Sequence, residues 1–289
     1  MNPSGLSAHV SQTVTMPPPK TYETTTIVRC ETSGAQETIN DLVSIEQPLE
    51  IRIRGESIAV TMRTPGHDHE LAAGFAVSEG IVSNATQVVD IEHCRRNKAE
   101  HPENIINIFL DSNTSCDLKR LSRHVFASSS CGVCGKASIE AIRQNFPAVH
   151  SNLAIQAATL RTLPQRLRLG QSDFTKTGGL HAAGIFTEDG ALLCVREDVG
   201  RHNAVDKVIG WSLLNDHFPL DHHLLIVSSR ASFEIMQKAL IARVPFVAAI
   251  SAPSSLAVEF AQENQQTLVG FLRESAFNIY SHPQRVQDS

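Results

Sequence analysis

No stretch of this chain is suited to cross a bilayer as a helix. The most apolar late segment, residues 244–258, is short and is broken by Pro245 and Pro253. The first twenty residues carry no apolar core of an export signal. They are polar and proline-rich, and the expectation for residues 1–20 is a disordered tail. Positive charge is not in excess. With a formal charge of −5, the chain lacks the basic footprint of a general nucleic-acid binder. Cysteine is sparse too: six in 289 residues do not make a disulfide scaffold, and without an export signal they point to a reducing cytoplasm. No internal repeat is evident. What remains is ordinary globular composition, 42% apolar and 19% charged, at a length that fits about two domains.

The informative stretch is Ser128-Ser129-Ser130-Cys131-Gly132-Val133-Cys134-Gly135-Lys136. Gly132 and Gly135 permit turns that residues with a β-carbon resist. The following residues, 136–144, space Ile139 and Ile142 as a helix does. A thiol just ahead of a helix meets unpaired N–H groups, the positive end of the dipole and here the Lys136 cation, all of which favour thiolate. A lone CxxC has other uses. Half of a zinc site would need further ligands, yet Cys30, Cys94, Cys116 and Cys194 form no second CxxC, and His124 has no finger-spaced partner. A dithiol redox pair would need a βαβ context that is missing here. A thiolate that carries a group stays open beside these two.

Along the chain, residues 21–60 read as strands: Thr24-Thr25-Thr26-Ile27-Val28-Arg29 is β-branched, and residues 49–63 alternate around Gly55 as a hairpin. Pro65-Gly66 marks a turn, with His67 or Asp68 opening a helix. His67, His69 and Glu70 look like metal ligands, but histidines two apart do not share a helix face, so capping and surface polarity are the expected roles. Residues 105–110 form another strand, and 111–127 a polar connection to the cysteines. In the second half, strands are expected at 180–186, 191–197, 223–228, 246–250 and 268–273. Helices are expected over 203–211, from about 232 to 242, and after Ser254 or Ser255. That alternation predicts an α/β sheet with parallel pairs.

Ligands collect where the strands of such sheets end and helices begin. Three polar clusters fall there: Glu197-Asp198-Val199-Gly200-Arg201-His202-Asn203, Ser228-Ser229-Arg230-Ala231-Ser232, and Ser251-Ala252-Pro253-Ser254-Ser255. Each alone is ordinary capping chemistry. Three on one sheet edge, with Ser229 and Arg230 at a helix entrance, suit a phosphate- or nucleotide-bearing ligand.

These blocks carry a resemblance. Residues 130–135, Thr177-Gly178-Gly179-Leu180-His181, residues 197–207 (EDVGRHNAVDK), residues 228–232 and Gly270-Phe271-Leu272-Arg273 resemble the FdhD family of sulfur-carrier accessory proteins for formate dehydrogenase, in order from about residue 22 to 285. The resemblance implies a cytidine-deaminase-like three-layer α/β domain over 126–285, with the CxxC loop at its start. A smaller β-rich N-terminal domain would span 21–125. It also implies a homodimer, a cysteine desulfurase as sulfur donor, and the molybdenum bis(molybdopterin guanine dinucleotide) cofactor as bound substrate, with a GDP-like nucleotide able to occupy the same site. A zinc deaminase needs H-x-E and a later P-C-x-x-C. Here His202-Asn203-Ala204 has Ala in place of that Glu, and residues 229–233 hold no cysteine, so zinc hydrolysis is not expected.

The resemblance further implies Cys131 as the persulfide carrier, where the residues alone do not rank it over Cys134. Cys134 would shield, share or resolve the sulfur. It makes Phe271, Leu272, Arg273, Glu274, Ser275 and Ala276 the nucleotide-binding segment, with Arg273 on phosphate and Phe271 stacked on guanine. His202, Ser229 and Arg230 join them. Glu274 departs from this pattern, since a basic residue would suit phosphate better. The expected function is a sulfur carrier required for formate dehydrogenase. The alternatives are a non-catalytic chaperone of the cofactor and a zinc-binding structural module.

Overall fold

The computed structural model describes residues 19–94, 100–114 and 146–288. The chain begins with strands β1 (Tyr22–Cys30), β2 (Gln36–Ser44), β3 (Gln47–Ile53) and β4 (Glu56–Arg63), then helix α1 (Asp68–Ser78), β5 (Val88–His93) and β6 (Ile105–Leu110). After β7 (Ile155–Gln156) come α2 (Ala157–Leu169), α3 (Ser172–Thr177), β8 (His181–Thr187), β9 (Leu192–Asp198) and α4 (Arg201–Leu214). The remainder is β10 (His223–Val227), α5 (Phe233–Ile241), β11 (Phe246–Ala249), α6 (Ser255–Glu263), β12 (Thr267–Gly270), β13 (Asn278–Ser281) and β14 (Val286–Gln287). The tail, the expected helix over 136–144, His124, Cys116 and the Cys131–Cys134 motif all lie wholly or almost wholly outside the described residues.

The expected hairpin forms: β3 and β4 pair antiparallel around Arg54 and Gly55, both at positive φ. Alternation does the sorting, because Leu49, Ile51 and Ile53 are buried while Glu50 and Arg52 pair on the other face. A four-stranded sheet of order β4-β3-β6-β5 results. The larger sheet has the order β13-β12-β11-β10-β8-β9, in which β10, β11 and β12 run parallel as anticipated. Two antiparallel steps, β10–β8 and β8–β9, return β9 to the direction of β10. The C-terminal ends of β9, β10, β11 and β12 therefore share one edge, together with the start of β8.

One face of the large sheet packs on α4, α5 and α6 in a core that continues through α1 into the four-stranded sheet. The other face is covered by α2 through Leu160, Leu163 and Leu167. The N-terminal β-rich half and the α/β half thus share a continuous core. The molecule is a mixed α/β protein with several sheets and, among the described residues, six α-helices. Two expectations are corrected. The strand expected to run from 268 to 273 ends at Gly270, because Phe271 turns to φ 51. It also does not close the series, since β13 returns antiparallel beside it.

Candidate functional site

The corner between β9 and α4 is held from beneath. Lys207 and Asp198, 1% and 0% exposed, pair at 2.7 Å, and Lys207 also donates to the Thr64 and Glu197 carbonyls at 3.0 and 3.2 Å. Asp198 accepts from Gly200 N at 2.8 Å, Asn203 Nδ2 at 3.0 Å and Thr64 N at 3.2 Å. Asn203 reaches Met62 O at 2.7 Å, and Thr61 Oγ1 donates to it at 3.1 Å. Half of the long 197–207 motif is therefore a buried clamp on the end of β4. It leaves Arg201 and His202 to face the strand edge.

His202 has a side chain 12% exposed, with Nε2 4.0 Å from Glu234. Burial first, then the Lys238 and Arg201 cations, push its pKa down to about 4, against the pull of Glu234. Three buried polar atoms here meet no hydrogen-bond partner among the described residues: His202 Nε2, Arg201 Nε and Ser232 Oγ. They lie at the entrances of α4 and α5. His181, at the start of β8, is close enough to feel Arg201, and burial and then that cation lower its pKa while Asp198 opposes.

On the α2 side of the same edge lies a cleft of about 600 Å³, lined by Arg168, Phe174, His181, Ser228 and Ile250 among others. The Arg168 guanidinium stands 4.5 Å from the centre of the Phe174 ring. Ser228 Oγ accepts from Ala182 N at 2.8 Å, tying β8 to the end of β10. Glu197 accepts from Asp173 N and Phe174 N at 3.0 and 2.8 Å and fixes the start of α3, the floor of the Gly178-Gly179 turn.

The predicted site residues divide between surface and interior. Phe271 is 45% exposed at positive φ, its N–H given to Ser251 O at 3.0 Å. Arg273 is exposed and donates to the carbonyls of Ile250 and of Leu272, the latter at 2.8 Å, and Ile250 links it to the cleft. Glu274, Ser275 and Ala276 are exposed in the turn before β13, closed by Arg273 N donating to Ala276 O at 2.9 Å. Leu272 instead points into the core, wholly buried, so it anchors the segment. Arg230 is exposed, while Ser229 is buried and donates to Arg230 O at 3.1 Å. His202, Ser229 and Arg230 sit at neighbouring strand ends, as does the 271–276 turn. Cys131 and Cys134 lie outside the described residues.

Sequence reasoning passed over Arg168, Phe174 and the Asp198–Lys207–Asn203 clamp. The clamp residues stand inside a block already singled out, and an Asp and a Lys nine apart between a strand and a helix were its available signal. Glu70 is taken by Arg196, at 2.7 Å to Nη2, and His67 Nδ1 lies 3.4 Å from it. Among the described residues no group of three or more His, Cys, Asp and Glu is set to hold a metal ion. Of the described cysteines, Cys194 is buried and its pKa is raised by burial to about 12, so it holds almost no thiolate at neutral pH. Among the described residues, no helix is long and apolar enough to cross a membrane.

Fold and edge define a mixed α/β protein whose aligned strand ends carry arginines, histidines and an exposed aromatic. The chain belongs to the FdhD/NarQ family, whose family description matches residues 44–287. A relative from Mycolicibacterium paratuberculosis, named sulfur carrier protein FdhD, is 48% identical over 261 residues, covering 88% of this chain and 95% of the relative. Proteins of the same name from Streptomyces coelicolor (47% identical; 88% of this chain and 92% of the relative) and Saccharolobus solfataricus (40%; 90% and 96%) are similar over comparable spans. A crystal structure described as a formate dehydrogenase accessory protein from Desulfotalea psychrophila shares the fold. It has a TM-score of 0.74 at 22% identity, covering 93% of this chain and all of that one.

Proposed function

We propose that this protein is the sulfur carrier required for formate dehydrogenase activity. It takes sulfur from a cysteine desulfurase as a Cys131 persulfide and passes it to the molybdenum bis(molybdopterin guanine dinucleotide) cofactor, its substrate, before that cofactor enters formate dehydrogenase. The observation that carries this reading is the similarity of nearly the whole chain, at 40–48% identity, to proteins named sulfur carrier protein FdhD.

The chemistry is thiol exchange. The Cys131 thiolate attacks the outer sulfur of the donor's persulfide, a new S–S bond forms at Cys131, and the donor cysteine leaves as thiolate. No oxidant is consumed. Cys134 shields or resolves the bound sulfur. At the strand edge, the exposed guanidinia of Arg273 and Arg230 take the nucleotide's phosphates, with Ser229 and the neutral ring of His202 beside them. Phe271 stacks on guanine, in the segment Phe271–Ala276. A GDP-like nucleotide fills the same place. The α/β unit serves as a cytidine-deaminase-like scaffold turned to binding, since residue 204 is Ala where a deaminase's Glu would move protons. The protein acts as a homodimer in the cytoplasm.

The test is mass spectrometry of the full-length protein after incubation with a cysteine desulfurase and cysteine. The expected result is a gain of one sulfur atom in the wild type and none in Cys131→Ala, whose thermal midpoint is unchanged and which no longer activates formate dehydrogenase. A Cys131→Ala protein that gains the sulfur, or activates fully, overturns the assignment. Activation that survives loss of both cysteines would instead mark a cofactor chaperone, and stoichiometric zinc lost with either cysteine a structural zinc module.

A further inference from the structure

The opposite edge of the six-stranded sheet, where β10, β11 and β12 begin, carries a second polar cleft. Its volume is about 470 Å³, and His150, Asn152, Asp221, His222, Gln284 and Arg285 are among its walls. Arg285 is only 6% exposed. Its Nη1 donates to Gln265 O at 2.9 Å and Thr267 Oγ1 at 3.2 Å, and its Nη2 to Ser151 O at 3.4 Å. All three acceptors are neutral, and its buried Nε–H meets no acceptor among the described residues.

Other buried or half-buried cations of this molecule are treated differently. Arg63 has Asp68 at 2.9 Å, Lys207 has Asp198 at 2.7 Å, and Lys238 has Asp206 at 2.8 Å. Arg285 has no such counter-ion among the described residues, and burial lowers its pKa with no carboxylate opposing. A cation withdrawn from water without a partner is costly to hold, and an anion that binds beside it relieves that cost. The carboxylate on the cleft wall, Asp221, is half-exposed and stands 4.0 Å from His222 Nε2.

We infer that this cleft is a second ligand site, separate from the strand-end site, that takes a small phosphate-class oxyanion against Arg285. His150, Asn152, His222 and Gln284 supply polar groups around it. The ligand is free phosphate or the phosphate group of a small ester. The site does not depend on the sulfur-carrier reading, and no group named in that reading lies in it.

The test titrates full-length protein with inorganic phosphate, by calorimetry and by following the ring resonances of His150 and His222. Saturable binding that shifts both rings is expected, and Arg285→Gln should weaken it at least tenfold while leaving GDP affinity unchanged. Ribose 5-phosphate separates the two sources: tighter binding than phosphate identifies an ester, and equal binding the free ion. Absence of saturation, or equal affinity in Arg285→Gln, overturns the site. Because Arg285 also holds Gln265, Thr267 and Ser151, that variant could fail to fold. Asn152→Asp then decides, since it adds a negative charge at an exposed wall position without touching those bonds. At least tenfold weaker phosphate binding supports the site, and unchanged binding overturns it.

Discussion

At the scale of single residues, the strand edge is governed by charges that burial forbids. His202 stands among Arg201, Lys238 and Glu234, and the two cations together with burial outweigh the one carboxylate, holding its pKa at about 4. At neutral pH the ring is uncharged. Its Nε2 is therefore free to exchange a hydrogen bond with a ligand at no cost in ionisation. This has a consequence for stability. The folded pKa lies below the unfolded value near 6.5, so the unfolded chain binds the proton first as pH falls. Stability is accordingly lost between about pH 6.5 and pH 4, by up to about 3 kcal/mol at 1.36 kcal/mol per unit. His202→Gln should flatten the fall of the thermal midpoint over that window, and an NMR titration of the ring should give a midpoint near 4. A ring that titrates at 6.5 refutes the account. Asp206 illustrates the converse. Burial raises its pKa, and the ion pair with Lys238 and the hydrogen bond from Ser78 at 2.6 Å offset that rise only in part.

At the scale of elements, α1 and α4 cross backbone to backbone, and that crossing joins the two halves of the molecule. A β-carbon on Gly74 would lie 1.8 Å from Asp206 O, and one on Gly210 would lie 1.8 Å from Glu70 O. Neither neighbour is a side chain that can swing away. Gly74→Ala or Gly210→Ala must therefore part the helices, and each should cost about 3 kcal/mol or more in chemical denaturation. A loss below 1 kcal/mol would mean that the crossing is looser than described. Element type was legible wherever apolar spacing was uninterrupted: residues 203–211 signalled α4, and the short apolar runs at 223–228 and 246–250 signalled β10 and β11. The helix α2 went unread although Leu160, Leu163 and Leu167 have helical spacing, because Pro164 in its midst reads as a breaker. The turn at Phe271 was hidden for a different reason. Nothing in Leu268-Val269-Gly270-Phe271-Leu272 marks a positive φ, which is imposed by the bonds to Ser251 O and Ala249 O.

At the scale of the whole molecule, the alignment of strand ends was foreseeable from the βα alternation. The contacts that hold them were not, because Asp198 and Thr64 meet across 134 residues of chain and local pattern carries no information about such a pairing. The same long-range contacts make the edge rigid before any ligand arrives. The clamp fixes β9 against β4, Ser228 fixes β10 against β8, and the 271–276 turn is pinned to β11. A preordered edge loses little entropy when it binds, so binding free energy should pass almost undiminished into stability of the folded state. For GDP at a hundred times its dissociation constant, that linkage amounts to about 2.7 kcal/mol. At roughly 2–4 °C per kcal/mol for chains of this size, the thermal midpoint should rise by about 5–10 °C. Phe271 and Arg230 are exposed, and the Arg230 side chain makes no hydrogen bond or ion pair among the described residues, so replacing either with Ala should leave the unliganded midpoint where it is. Loss of stacking on Phe271 should weaken GDP by about 1–3 kcal/mol and cut the shift accordingly. Loss of Arg230 should make the remaining affinity less sensitive to salt. If GDP raises the midpoint equally in wild type and in the Phe271→Ala, Arg230→Ala double variant, the nucleotide does not bind at this edge, and the strand ends serve some other ligand.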